Sequence, residues 1–333
     1  MKYGFVLSAL FIALPAQGEG TCDPAQALVS ISCGQTLAAA ESNESTPLSS
    51  IWDRLVTADT DDTPSLLNER WELDSDLGEF VFRPYKPVFF FPLFYNNHPN
   101  ELPTTSNPRT SLTDPIDLDH LEAKFQLSFK TKLANDLLAT DADLWLGYTQ
   151  SSHWQIYNAR DSRPFRETNH EPEFMLVWPT SYELFGVHGR MLSLSLNHQS
   201  NGREEPYSRS WNRIIFTAGF DIPNWVMMVR PWWRLPETSD EEDENPQILD
   251  YVGHGELIIV HRRHDSHQIS LQLRHSLKSA EDSRGSVDLN WSYPCFDKLR
   301  CHAQIFHGYG ESLIDYNHRT TSVGLGVALL EWF

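Results

Sequence analysis

Three side chains suited to ester chemistry sit close together in the stretch MLSLSLNHQSNGREEPYSRSWNRIIFTAGF, residues 191–220. Ser200 is a weak nucleophile until a base removes its proton. His198, two residues earlier, is on the same face if the segment is a strand, and can supply that base. Asn212 can accept a hydrogen bond from the other imidazole nitrogen and so hold the useful tautomer. It orients without the charge that an aspartate would lend. The residues Gly202 to Pro206 have turn chemistry between two strands, and if that hairpin pairs His198 opposite Asn212 the three side chains share one face.

The elements that must carry these residues show in the alternation around them. Leu192, Leu194 and Leu196 share a face with His198 and Ser200, and Ile214 and Phe216 share one with Asn212. Period-two alternation recurs at Leu121 to Phe129, Ile269 to Leu273 and Val287 to Tyr293. Strands place such residues on one face and helices do not. About twelve such segments begin near residues 86, 121, 143, 172, 190, 210, 223, 249, 267, 285, 301 and 320.

Mean hydropathy is only −0.42, yet the chain carries 11 Trp, 11 Tyr and 18 Phe. A transmembrane antiparallel β-barrel reconciles the two, because apolar residues alternate with polar ones and aromatic girdles mark the interfaces. An even strand number closes the barrel and removes unpaired edges. The fold class expected is therefore all-β, a transmembrane barrel of about 12 strands. A soluble barrel or sandwich is the structural alternative, and it would bury its apolar side.

In a barrel of this kind His198, Ser200 and Asn212 project from the lipid-facing surface, where unpaired polar groups are costly. One reading is that the apolar band ends near residue 196 and these groups lie in wet interface. The other is a triad aimed at the bilayer, whose substrate is an acyl ester of a phospholipid.

The strings N-H-Q-S-N-G-R at 197–203 and S-R-S-W-N-R at 208–213 resemble the signature of the outer membrane phospholipase A family. So do KPVFFFPLFYNNHPN at 86–100, YTQSSHWQ at 148–155, PFRETNHEP at 164–172 and GYGESLIDYN at 308–317. The resemblance spans roughly residues 84–333. It implies a calcium-dependent lipase of the outer membrane, with phospholipase A1, A2 and lysophospholipase activity, activated by homodimerisation. His198, Ser200 and Asn212 match the family's base, nucleophile and orienting residue, and Gly202 the backbone N–H of the oxyanion hole. Ser208 matches a side-chain calcium ligand, Arg203 a backbone-carbonyl ligand, and Ser162 the ligand from the other subunit. Gln150 matches a polar residue of the membrane-embedded dimer interface.

Residues 1–18 have the pattern of a secretory signal, and residues 19–83 of a polar, acidic extension with little structure. In an exported protein, the close pairs Cys22 with Cys33 and Cys295 with Cys301 are expected to form local disulfides. A formal charge of −19 argues against nucleic acid as a partner. Glu204 and Glu205, beside the calcium positions, are best placed in an exposed turn. His261, His264, His267 and His275 lack the convergence of a zinc site, and Trp211, Trp232 and Trp233 suit interfacial anchors. A passive pore that kept only the scaffold is the competing function, distinguishable by conductance without hydrolysis.

Overall fold

The alternating segments become strands in the computed structural model, which describes residues 65–74, 77–137, 140–184, 187–239, 242–263 and 266–333. The signal segment and the Cys22–Cys33 pair lie outside the described residues. Twelve strands run antiparallel in chain order: β1 (Val88–Asn96), β2 (Leu121–Ala134), β3 (Asp143–Trp154), β4 (Phe165–Leu184), β5 (Val187–Ser200) and β6 (Ser210–Ile222). They continue as β7 (Trp225–Leu235), β8 (Gly255–Arg263), β9 (His267–His275), β10 (Gly285–Pro294), β11 (Arg300–Tyr309) and β12 (Arg319–Leu330). Each pairs with its neighbour and β12 pairs with β1, which closes the barrel. Arg83–Pro84 adds a two-residue pairing to β2 below the start of β1.

Two strand starts differ from the sequence reading. β4 begins at Phe165 rather than near 172, because its early outward residues Thr168 and His170 are polar and hide the alternation. β8 begins at Gly255 rather than near 249. Ile248 and Val252 recur at helical spacing instead, and a short helix, α2 (Ile248–Tyr251), buries them against Trp211 and Trp232.

Alternation now has a direction. In β5, Ser193, Ser195 and Asn197 are buried within the barrel, whereas Leu194 and Leu196 are 45% and 53% exposed. Ile214, Phe216, Phe174, Leu325 and Val323 are likewise outward and exposed. Apolar outside and polar inside is the inverse of a soluble barrel, and it is what hydrocarbon surroundings require. The parity also corrects one expectation about tryptophan. Because Asn212 points outward, Trp211 points inward, and Trp211 and Trp232 form part of the interior packing. Of the three tryptophans expected as anchors, Trp233, 72% exposed, is the one on the outer face.

The interior is filled by ion pairs. Arg230 contacts Glu173 at 3.2 Å and Glu256 at 2.8 Å, and Arg213 reaches Glu171 at 3.0 Å, with Lys86 on the same carboxylate at 2.8 Å. A cavity of about 200 Å³ remains among these groups. Near the short-turn end the lining becomes apolar, and a helix, α1 (Leu66–Trp71), occupies it. Ser65 caps α1 by accepting from the Asn68 N–H at 3.0 Å. Leu67 and Trp71 pack with Trp145, Met175 and Met191, and Arg70 Nε donates to the Trp332 carbonyl at 2.6 Å. Residues 65–71 thus have a defined structure that the polar composition of the 19–83 segment conceals. The apolar residues needed are few and are sheltered by the barrel rather than by the segment itself. A passive pore finds no support in a lumen occupied in this way.

Candidate active site on the lipid face

The short turns 223–224 and 295–299 lie at the α1 end, and Cys295 and Cys301 are disulfide-bonded beside one of them. The longer loops 97–120, 155–164, 201–209, 236–254 and 310–318 lie at the other end. The candidate residues are just below these loops. His198 pairs with Asn212 across β5 and β6, and Ser200 pairs with Ser210. His198 Nδ1 and Asn212 Oδ1 are 2.8 Å apart. An amide oxygen can only accept, so Nδ1 carries the proton and Nε2 keeps its lone pair. Ser200 lies two residues along the same outward face, and no hydrogen bond joins its hydroxyl to His198 among the described residues. In ligand-free sites such contacts often tighten only with substrate bound.

Directly after Ser200 the chain leaves the sheet, and Asn201 governs how. Asn201 is buried. Its backbone N–H donates to the Arg209 carbonyl at 3.0 Å, while its Oδ1 accepts from the backbone N–H groups of Arg209 and Arg203. Its amide donates to Glu167 Oε2 at 3.3 Å and to the Tyr207 carbonyl at 2.8 Å. Gly202 follows at φ +61°, a left-handed conformation that a side chain would strain although there is room for one. Sequence reasoning named Gly202 but missed Asn201, the residue that fixes it. The only sequence trace is the Asn-Gly dipeptide, which marks a turn without saying which side chain organises it.

Behind this corner, loop 310–318 folds into the barrel mouth. The Leu313 and Ile314 N–H groups donate to Asn169 and Glu167, the carboxylate that also meets Asn201. Arg166 ties Asp315 at 2.7 Å to Glu122 at 3.0 Å. Burial alone would raise the Asp315 carboxyl, but the Arg166 guanidinium outweighs it and holds the group below its ordinary value. Tyr316, on the same loop, is pushed up by burial.

The remaining expected positions scatter around the mouth. Ser208 Oγ donates to Glu244, whose other carboxylate oxygen is buried without a hydrogen-bond partner among the described residues. A hydroxyl that donates its proton to a carboxylate keeps its oxygen lone pairs free for a cation. Arg203 is in the 201–209 loop with its guanidinium over the Tyr207 ring, and Ser162 is exposed in loop 155–164 at φ +62°. Such hard oxygen donors, with a carboxylate charge not yet fully paired, fit a calcium ion. Glu205 pairs with Arg109 on the surface at 2.6 Å, as an exposed turn residue would. Gln150 lies outward on β3 and donates to Ser152 at 3.2 Å. His261 stacks near Trp225 and His267 near Trp291, His264 is outside the described residues, and no group of three or more metal-binding side chains of the His, Cys, Asp and Glu types occurs among the described residues.

A closed twelve-stranded barrel with a polar constellation on its hydrocarbon face defines an outer-membrane enzyme that works on lipid. The family model described as phospholipase A1 matches residues 67–329. The chain belongs to the phospholipase A1 family, whose members are carboxylic ester hydrolases of the outer membrane. The match begins at Leu67, so it takes in α1 as well as the barrel. A protein of Neisseria meningitidis serogroup B bearing the phospholipase A1 name is 40% identical over 274 residues, which are 81% of this chain and 71% of that relative. The structure of Escherichia coli outer membrane phospholipase A superposes with a TM-score of 0.67 at 34% identity, covering 78% of this chain and 96% of that one. A Salmonella typhi outer membrane phospholipase, solved as a dimer with bound calcium, gives 0.68 at 33% identity with the same coverage.

Proposed function

We propose that this chain hydrolyses acyl esters of phospholipids through Ser200, His198 and Asn212, with phospholipase A1, A2 and lysophospholipase activity. The observation that carries the reading is the His198–Asn212 pair, 2.8 Å apart on the apolar outer face, with Ser200 beside it. A polar pair in that position has little structural purpose and faces the substrate's own medium. His198 Nε2 takes the Ser200 proton as Oγ attacks the ester carbonyl, and Asn212 steadies the imidazolium through Nδ1–H. The Gly202 N–H donates to the developing oxyanion. The ester C–O bond breaks and the leaving alcohol takes that proton from His198, which leaves an acyl group on Ser200. Water, deprotonated in turn by His198, then attacks the acyl carbon; the fatty acid departs as the bond to Ser200 Oγ breaks, and Oγ recovers its proton from His198.

Ser208, the Arg203 carbonyl and Ser162 of a second copy would hold calcium, and the Salmonella relative's bound calcium and dimeric state support this. When bound there, the ion would supply positive charge that favours the developing oxyanion. Because one ligand comes from the second copy, the monomer is latent. Gln150, an outward amide in an apolar face, favours pairing by an interchain hydrogen bond. The test is fatty-acid release by refolded protein in detergent micelles, alongside crosslinking, with calcium and then with chelator. Activity and dimer both falling with chelator supports the shared ion. Activity that persists after chelation overturns the calcium assignment and leaves the triad.

A further inference from the structure

Ser200 has a second imidazole beside it. Across the β4–β5 pairing His170 is directly opposite Ser200, and across β3–β4 it is opposite Gln150. Its outward parity is that of Phe174 and Leu176, so it shares the lipid face with the triad.

The ring is held in one orientation. His170 Nδ1 is 2.7 Å from the Tyr148 hydroxyl, and the two rings lie nearly parallel, with 29° between their planes. The Tyr148 hydroxyl also approaches Gln150 Oε1, but only to 3.4 Å. At 3.4 Å the contact to Gln150 is beyond ordinary O–H···O length, which leaves the single phenol proton for Nδ1 at 2.7 Å. Nδ1 then accepts, so the neutral ring carries its own proton on Nε2. His198 has the opposite assignment, with Nδ1 donating to Asn212 and Nε2 bare. One imidazole beside Ser200 is thus set to accept a proton and the other to donate a hydrogen bond.

The Cδ2 edge of the His170 ring lies toward Gly202. His170 Cδ2, the carbon bonded to Nε2, is the heavy atom that a Cβ on Gly202 would meet, at 3.8 Å. The His170 ring edge and the Gly202 backbone therefore bound the same space beyond Ser200. We infer that His170 is a catalytic residue whose Nε2–H donates to the carbonyl oxygen of the ester that Ser200 attacks, acting with the Gly202 N–H, with Tyr148 as the residue that positions it. This inference rests on the triad reading above.

The test uses the full refolded chain with calcium and two substrates, a micellar phosphatidylcholine and a long-chain p-nitrophenyl ester that has no phosphate. His170→Phe keeps a flat ring and removes the donor, and His170→Gln returns an N–H donor. Loss of one oxyanion donor costs about a hundredfold or more in kcat. We expect a loss of that order for His170→Phe on both substrates with KM little changed, partial recovery in His170→Gln, and a smaller loss in Tyr148→Phe. A kcat within twofold of wild type overturns the proposal. So does a loss confined to the phosphatidylcholine and expressed in KM, which would make His170 a phosphate contact. An equal loss in His170→Gln, accompanied by a smaller heat-modifiable fraction, would make the residue structural and also overturn it. Ser200→Ala separates the two readings. Activity surviving in Ser200→Ala removes the triad itself, whereas an inert Ser200→Ala with an unaffected His170→Phe removes only the role of His170.

Discussion

Removing the Asn212 side chain tests whether an uncharged residue orients the base. In Asn212→Ala the His198 ring loses the acceptor 2.8 Å from Nδ1. In the resting enzyme that bond joins two neutral groups. In the transition state His198 is an imidazolium and the bond becomes one to a charged group, worth about 1.5–3 kcal/mol net. Only the excess over the resting bond, itself worth about 0.5–1.5 kcal/mol, counts toward kcat; that leaves about 1–1.5 kcal/mol, or roughly 5- to 12-fold at about 1.4 kcal/mol per factor of ten. This is far short of the roughly ten-thousandfold loss that follows when a charged triad member is neutralised. Ground-state binding does not use the bond, so KM should stay nearly constant. The assay is fatty-acid release from micellar phospholipid in calcium, with folding checked by heat-modifiable migration. A loss below twofold would show that Asn212 does not act on His198 during turnover. A loss as deep as that of Ser200→Ala would show that the neutral hydrogen bond is not the whole contribution.

Two further outcomes follow from the packing. Leu67 is fully buried between Met191 and Gly219, so Leu67→Ala should lower the unfolding free energy by about 2–5 kcal/mol in urea titrations of the bilayer-embedded barrel; an unchanged midpoint would mean that α1 contributes little. The folded Asp315 carboxyl is held below its ordinary value by Arg166, despite burial. Its stabilisation is therefore fully present above about pH 3.9, the unfolded value, and is lost as pH falls through the lower folded value. The urea midpoint of wild type should exceed that of Asp315→Asn by a constant amount from pH 7 to 5, with the gap closing below about pH 4; a gap that closes between pH 7 and 6 contradicts the pairing.

Strand number and parity were legible because hydrocarbon outside and ion pairs inside impose opposite demands on successive residues. The run from Leu192 to Ser200 contains both the apolar stripe and its polar interruption, and the register that puts His198 opposite Asn212, only a condition in the sequence reading, is the one the sheet adopts. What escaped was long-range. Asn201 fixes the corner through Arg209 at the far end of its own loop and through Glu167 on β4, a partner that no local pattern relates to it. His170 lies 30 residues before Ser200 and meets it only through the β4–β5 register, which a Pro179–Tyr182 irregularity shifts away from simple counting. α1 was hidden because its two buried residues, Leu67 and Trp71, are set in an acidic segment and borrow a core that the barrel provides. Trp211 was misassigned by residue type when the parity of Asn212 already placed it inside.

The most direct measurement is phospholipid hydrolysis by wild type and Ser200→Ala, both refolded and heat-modifiable, in micelles with saturating calcium. The triad on the lipid face predicts calcium-dependent fatty-acid release from wild type and none above background from Ser200→Ala. Equal release from the two proteins would contradict it and place the chemistry elsewhere on the barrel.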